Sequence, residues 1–232
     1  MSSLYLWLNI SSIAIPLLYS FHPKLRLYKK FHWLLLSLII TMCVFIPWDI
    51  IFTISGIWGF NPDYFLGIEV FRLPLEEWLF FICIPFACIF THYALLLYFP
   101  DFKLNEKSTK IVVVNLILVL FGLVIANYDK CYTFVNFSLA VPLTWLVYKY
   151  NTKLLQHFLL TFLVMLVPFF IVNGVLTGSL IDDQVVWYNN AENLGIRMGT
   201  IPLEDSVYAY SLILMNLLLF EYLCSRFKSK GN

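Results

Sequence analysis

The sequence predicts an all-α, polytopic membrane protein of about seven transmembrane helices, arranged as two parallel three-helix repeats joined by a linking helix. Three observations carry this. The 232 residues are 61% hydrophobic and 12% charged, with a mean hydropathy of +0.81, where a soluble domain carries about 25% charge. Apolar runs long enough to span a bilayer recur along the whole chain. One polar motif also occurs twice in register. Asn61, Gly67, Ile68 and Pro74-Leu75-Glu76-Glu77 return as Asn189, Gly195, Ile196 and Pro202-Leu203-Glu204-Asp205, with identical spacing.

In chain order the spans are expected at 3–21, 31–54, 73–99, 111–128, 131–149, 157–178 and 201–224. No basic residue precedes the first, and Lys24, Arg26, Lys29 and Lys30 follow it. That order describes an uncleaved helix with its N-terminus outside rather than a signal peptide. The fourth span is the shortest, and the junction with the fifth near Tyr128-Asp129-Lys130 leaves little loop. The organisation is therefore a first repeat over 1–99, a linking span over 100–130, a second repeat over 131–224 and a tail over 225–232. Three spans end on the face opposite to their start, so a second repeat in the same direction needs one further crossing. The fourth span supplies it.

Of the 15 Lys and Arg, all but Arg72, Lys130 and Arg197 fall on one side of these spans. The positive-inside bias makes that side cytoplasmic, together with the C-terminus, in a cell (plasma or inner) membrane.

Each copy of the motif drives two acids into the outer end of a membrane helix. An ionisable group costs about 2.5–3.5 kcal/mol at mid-membrane on insertion scales, so two matched pairs point to use. Proline followed by acids also suits any helix start, because the acids complement its exposed N–H groups. Pro74 and Pro202 are the helix-start residues on that reading. Register between the copies favours function. The second span ends Trp48-Asp49 and the sixth Val172-Asn173, with Thr53 and Thr177 each four residues on. Asp49 and Asn173 thus reach the same depth as Glu76, Glu77, Glu204 and Asp205. Neighbours on a helix diverge by about 100°, so within each pair one acid faces the interior and the other supports it or caps the helix. As candidates for proton transfer Glu77 and Glu204 rank first and Glu76 and Asp205 next, with Asp49 as a supporting partner. Asn61 and Asn189 are further supporting polar positions. Phe80, Phe81 and Tyr208 lie one turn deeper, where ring faces stabilise cations. Trp58 and Trp187 read as an interfacial belt. Carboxyls and rings in a dry cavity suit the making and guiding of a carbocation from an alkene.

Other chemistries lack their residues. Cys43, Cys83, Cys88, Cys131 and Cys224 form no CxxC pair, and His22, His32, His92 and His157 form no HxxH or HxxxH pair. No metal site is expected. There is no DDxxD for a prenyltransferase, no lysine between Ile201 and Cys224 for a retinal Schiff base, and no GxGxxG for a nucleotide. A net charge of +1 gives no case for a nucleic-acid partner.

The duplicated Pro-Leu-Glu-[Glu/Asp] motif, on a chain of this size and span number, resembles the membrane-integral lycopene cyclases of bacteria, archaea and fungi. In some members the halves are separate subunits; here they would be fused. The resemblance covers essentially the whole length. It implies conversion of the linear ψ-ends of lycopene to β-rings, giving γ- and then β-carotene, by an intramolecular lyase (an isomerase) of carotenoid biosynthesis. It implies Glu76, Glu77, Glu204 and Asp205 as catalytic acids and bases, and no cofactor. Its partners would be lycopene, the lipid bilayer and other carotenoid-pathway enzymes. The halves depart from symmetry at Asp205, against Glu77, and at Asn173, against Asp49. The alternative function is a proton-coupled small-molecule carrier using the same acids. Matched helix breaks would mark it, yet Pro85 is matched by Ile213.

Phosphatase fused to the C-terminus is expected to be inactive in a bacterial host, and a fluorescent protein fused there to be bright. The reverse pattern would invert the orientation.

Overall fold

The computed structural model describes residues 3–228; the end of the expected tail, 229–232, lies outside the described residues. Seven helices run in order: α1 (Leu4–Tyr19), α2 (Phe31–Ile54), α3 (Leu75–Tyr98), α4 (Glu106–Ala126), α5 (Cys131–Tyr150), α6 (Thr152–Leu176) and α7 (Leu203–Lys228). Among the described residues six helices are long and apolar enough to cross a membrane. The first has 16 residues, or about 24 Å, which falls short of the ~30 Å hydrocarbon core. The chain is thus multi-pass and helical, with six full-length spans and a shorter α1 where seven spans were expected.

Two helices start earlier than their apolar runs, because side-chain caps set the start. The Asn105 side chain accepts from the Ser108 N–H at 2.8 Å and opens α4 at Glu106. The Asn151 side chain accepts from the Leu154 N–H at 3.2 Å, and this one residue is the whole α5–α6 connection. Such caps satisfy N–H groups that the helix itself leaves free.

Packing interlocks the repeats. Helix α1 packs along α3, and α5 along α7 in the same manner. The second helices cross over, α2 lying against α7 and α6 against α3. Helix α4 covers α5 and touches α6. Neither three-helix unit is therefore a separate bundle. The largest cluster of buried side chains, including Leu38, Ile89, Phe158, Leu217 and Phe220, joins both halves.

The polar connections at the α3 and α7 starts are not plain loops. Strand β1 (Trp58–Phe60) pairs antiparallel with β4 (Val186–Tyr188), placing Gly59 opposite Trp187. Beyond the strands, the Asn61 N–H donates to Val185 O at 2.9 Å, and the Asn189 N–H to Ile57 O at 2.8 Å. Exchanging the halves maps this ribbon onto itself, so a local two-fold passes through the Gly59–Trp187 pair. Gly59 has no alternative there, since a Cβ would lie 2.4 Å from the Trp187 ring. Hairpin β2 (Glu69–Val70) with β3 (Leu73–Pro74) repeats as β5 (Arg197–Met198) with β6 (Ile201–Pro202). Pro74 and Pro202 end these strands immediately before α3 and α7. Pairing of this kind satisfies backbone groups that a buried cap would otherwise strand.

The hairpin turns differ in strain. The second uses Gly199 at φ +68°, but the first holds Phe71 at +54° and Arg72 at +69°. A side chain costs about 1–2 kcal/mol per residue in that region. Arg72→Gly is therefore expected to raise the thermal unfolding midpoint in detergent, by about 1 kcal/mol of stability. A lowered midpoint would show that the Arg72 side chain contributes more than its backbone strain costs.

Candidate active site

One largely apolar cavity of about 390 Å³ opens between α1, α3, α6 and α7, with its carboxyls gathered at one end. Glu77 enters it from the first turn of α3, Asp205 from the first turn of α7, and Asp49 and Asn173 from the C-terminal ends of α2 and α6. All three carboxylic residues are buried, Asp49 at 2%, Glu77 at 9% and Asp205 at 4% exposure.

The carboxyls are held by phenols and an indole. Tyr5 on α1 donates its O–H to Glu77 Oε2. Tyr132, its counterpart on α5, donates to Asp205 Oδ1 at 2.6 Å, and Tyr188 on β4 donates to Asp205 Oδ2 at 2.9 Å. Trp58 Nε1–H donates to Asp49 Oδ1 at 2.7 Å, and the Asp49 carboxyl lies within hydrogen-bonding reach of Glu77. Glu77 in turn lies within electrostatic reach of Asp205. Burial, then the Asp205 charge and hydrogen bond, push the Tyr188 phenol well above its ordinary range, so it stays a proton donor. The Arg197 guanidinium lies 5.6 Å from the Tyr188 ring centroid.

Glu76 and Glu204 turn away from the cavity. Glu76 Oε1 accepts the Leu66 N–H at 2.8 Å, and Glu204 Oε1 accepts the Leu194 N–H at 2.7 Å, ten residues upstream in both halves. Thr133 Oγ1–H adds a bond to Glu204 Oε1 at 2.6 Å. Their backbone carbonyls accept from Asn9 Nδ2 at 2.8 Å and Asn136 Nδ2 at 2.7 Å. This arrangement ties α1 to α3 and α5 to α7. The ~100° divergence of neighbouring residues is what separates the two roles. Register pairs Glu204 with Glu76 and Asp205 with Glu77, so Asp205, rather than Glu204, is the second half's cavity acid.

The other expected residues divide in the same way. Phe80 and Tyr208 line the cavity. Phe81 does not; it packs with Phe45, Leu73 and Leu212 at 1% exposure. Asn61 and Asn189 cap short 3-10 turns, accepting from the N–H of Asp63 and Ala191, each at 3.0 Å. They support the loops and stand outside the cavity lining. Trp58 is no belt residue, since at 5% exposure its ring N–H is spent on Asp49. Trp187, 41% exposed, lies over Gly59.

The sequence model described as lycopene cyclase matches residues 2–95 and 129–223, one stretch in each half. The chain belongs to the lycopene cyclase family. A bifunctional lycopene cyclase/phytoene synthase of Aspergillus niger is 30% identical over 94 residues, 38% of this chain and 16% of that protein. The chain thus spans a small part of this curated relative. No solved structure matches.

Tyr5, Tyr132 and Tyr188, which donate to the cavity acids, are not among the site residues expected from the sequence. A signal for two of them was present: Tyr5 and Asn9 recur as Tyr132 and Asn136, one turn apart in each copy. Replacing Glu204 or Glu76 with alanine leaves the Leu194 or Leu66 N–H without its acceptor. Each substitution is expected to cost about 1–3 kcal/mol of stability, read as a lower unfolding midpoint. Glutamine, which keeps an acceptor oxygen, should recover most of it.

Proposed function

We propose that the chain is a lycopene β-cyclase, closing ψ-ends to β-rings by acid–base catalysis without a cofactor. The single observation that carries this is the placement of Glu77, Asp49 and Asp205 together at one end of an otherwise apolar, ring-lined cavity. The wall along α3 runs from Glu77 to Thr91, about 21 Å at 1.5 Å per residue. That suits a rod-like polyene with its terminus at the acids. Ser11 and Ile15 on α1, with Pro168 and Ile171 on α6, line the cavity and are themselves exposed on the outer surface. They make a lateral door through which a lipid-dissolved substrate enters.

The chemistry balances as an isomerisation. A proton adds at C2 of the terminal alkene and leaves a cation at C1. The C5–C6 π-electrons attack C1 and form the C1–C6 bond, moving the cation to C5. Loss of the C6 proton then gives the C5–C6 double bond of the β-ring. One proton enters and one leaves, and no electron is transferred.

The two carboxyl environments suit different roles. Two carboxyls set close together in a dry site share a proton, which assigns the acid to Glu77 with its neighbour Asp49. Asp205 is held by two phenol O–H groups, the arrangement that suits an acceptor of the C6 proton. Phe80 and Tyr208 offer ring faces to the intervening cation, worth about 0.5–2 kcal/mol each. Glu76 and Glu204 act through structure, holding the loops that seat the reacting pair. The family assignment adds weight to this reading. The orientation proposed is N-terminus outside and C-terminus cytoplasmic in the cell membrane, from the lysine and arginine bias.

Glu77→Gln and Asp205→Asn keep shape and hydrogen bonding but cannot exchange a proton. Each is expected to reduce cyclic product from lycopene by about 10²–10⁴-fold at matched membrane abundance, as measured by chromatography. Yields within about twofold of wild type from both variants would remove acid–base chemistry from these positions.

A further inference from the structure

The fold is duplicated, yet the residues that line the cavity are not all repeated in kind. Exchange of the halves carries α1, α3 and α6 onto α5, α7 and α2, so a second groove of the same shape is expected between those helices. Matched positions are fixed by shared bonds and spacing: Tyr5 with Tyr132, Glu77 with Asp205, and Asp49 with Asn173.

Along these matches the mirrored face carries bulkier side chains at several positions. Val172 lines the open cavity, and its counterpart is Trp48. The Trp48 ring fills the mirrored space, with its centroid 5.0 Å from Tyr208, 5.6 Å from Phe45 and 5.5 Å from Phe52. Ser12 on the open side is matched by Leu139, and Ala87 by Met215. Leu139, Met215 and Trp48 all pack into one cluster around Phe45 and Leu212. Some exchanges run the other way, among them Met165 against Thr41 and Phe162 against Leu38, but the gains at Trp48, Leu139 and Met215 together outweigh these in volume.

We propose that the chain has a single substrate channel, kept single by Trp48, Leu139 and Met215, and that a polyene with two reactive ends is processed one end per binding event. This rests on the cyclase reading. The second ring then requires the monocyclic product to leave through the α1–α6 door, reverse and re-enter. Val172, Ser12 and Ala87 are the residues whose small size keeps the working channel open, and they are specificity determinants rather than catalytic groups.

The test uses the full chain in lipid nanodiscs with lycopene in excess, comparing wild type with Val172→Trp and with the double variant Ser12→Leu/Ala87→Met. Bound lycopene per folded chain is read from absorbance, and products are followed from the earliest time points. The expected results are one polyene per wild-type chain and a monocyclic pool that precedes bicyclic product. Both variants should lose lycopene binding and about tenfold or more of turnover. Two polyenes per wild-type chain would overturn the proposal. So would bicyclic product without a prior monocyclic pool, or half or more of wild-type turnover in either folded variant. A wild-type chain that binds one lycopene and cyclises none would overturn the cyclase reading and leave the single channel standing.

Discussion

The acid-bearing end of this protein depends on one constraint: two adjacent acids at a helix start cannot face the same way. In each half the first acid turns to the preceding loop and accepts its backbone N–H, at Leu66 or Leu194. The second is thereby aimed into the membrane interior, where a carboxyl is tolerable only with partners. Those partners are phenols contributed by α1 and α5, the helices that Asn9 and Asn136 anchor to the same turns. Fold and candidate chemistry are thus tied at a single turn. The acid that builds the loop also fixes the direction of the acid that faces the cavity.

Duplication supplies the frame, and departures from it supply direction. Phe60 stands where the second half has Tyr188, so only Asp205 receives a second phenol. Asp49 stands where the second half has Asn173, and Trp58, which binds Asp49, is matched by Val186. Each difference adds or removes a single polar partner around an otherwise equivalent carboxyl. Acid and base are distinct roles in a proton-balanced cyclisation, and a strictly symmetric site would offer the same group twice. The interlocked packing of α2 on α7 and α6 on α3 brings both sets of partners to one cavity.

Much of this was legible from residues alone. The repeat, the helical class and the shared depth of Asp49, Glu77, Asn173 and Asp205 follow from spacing and hydropathy. Glu204 was placed ahead of Asp205 because spacing shows that neighbours diverge by about 100° without saying which member faces inward. That depends on the loop N–H which captures one of them. Tyr5 and Tyr132 were overlooked because neutral phenols inside apolar runs read as ordinary aromatic bulk. The ribbon and hairpins, with strands of two or three residues, are too short for a period-2 pattern to register. Trp58 carries the composition of an interfacial residue, and only its pairing with Asp49 reveals otherwise.

The most direct measurement of the central claim is isotopic. Protein equilibrated in deuterium oxide, mixed with unlabelled lycopene for a single turnover, transfers an exchangeable deuteron from a carboxyl to carbon if the acid is an enzyme side chain. Mass spectrometry should then find one deuterium per ring formed, retained at C2 because the departing proton comes from C6. Rings formed with no deuterium would contradict the account, since the proton would then have come from the substrate itself rather than from the carboxyls of the cavity.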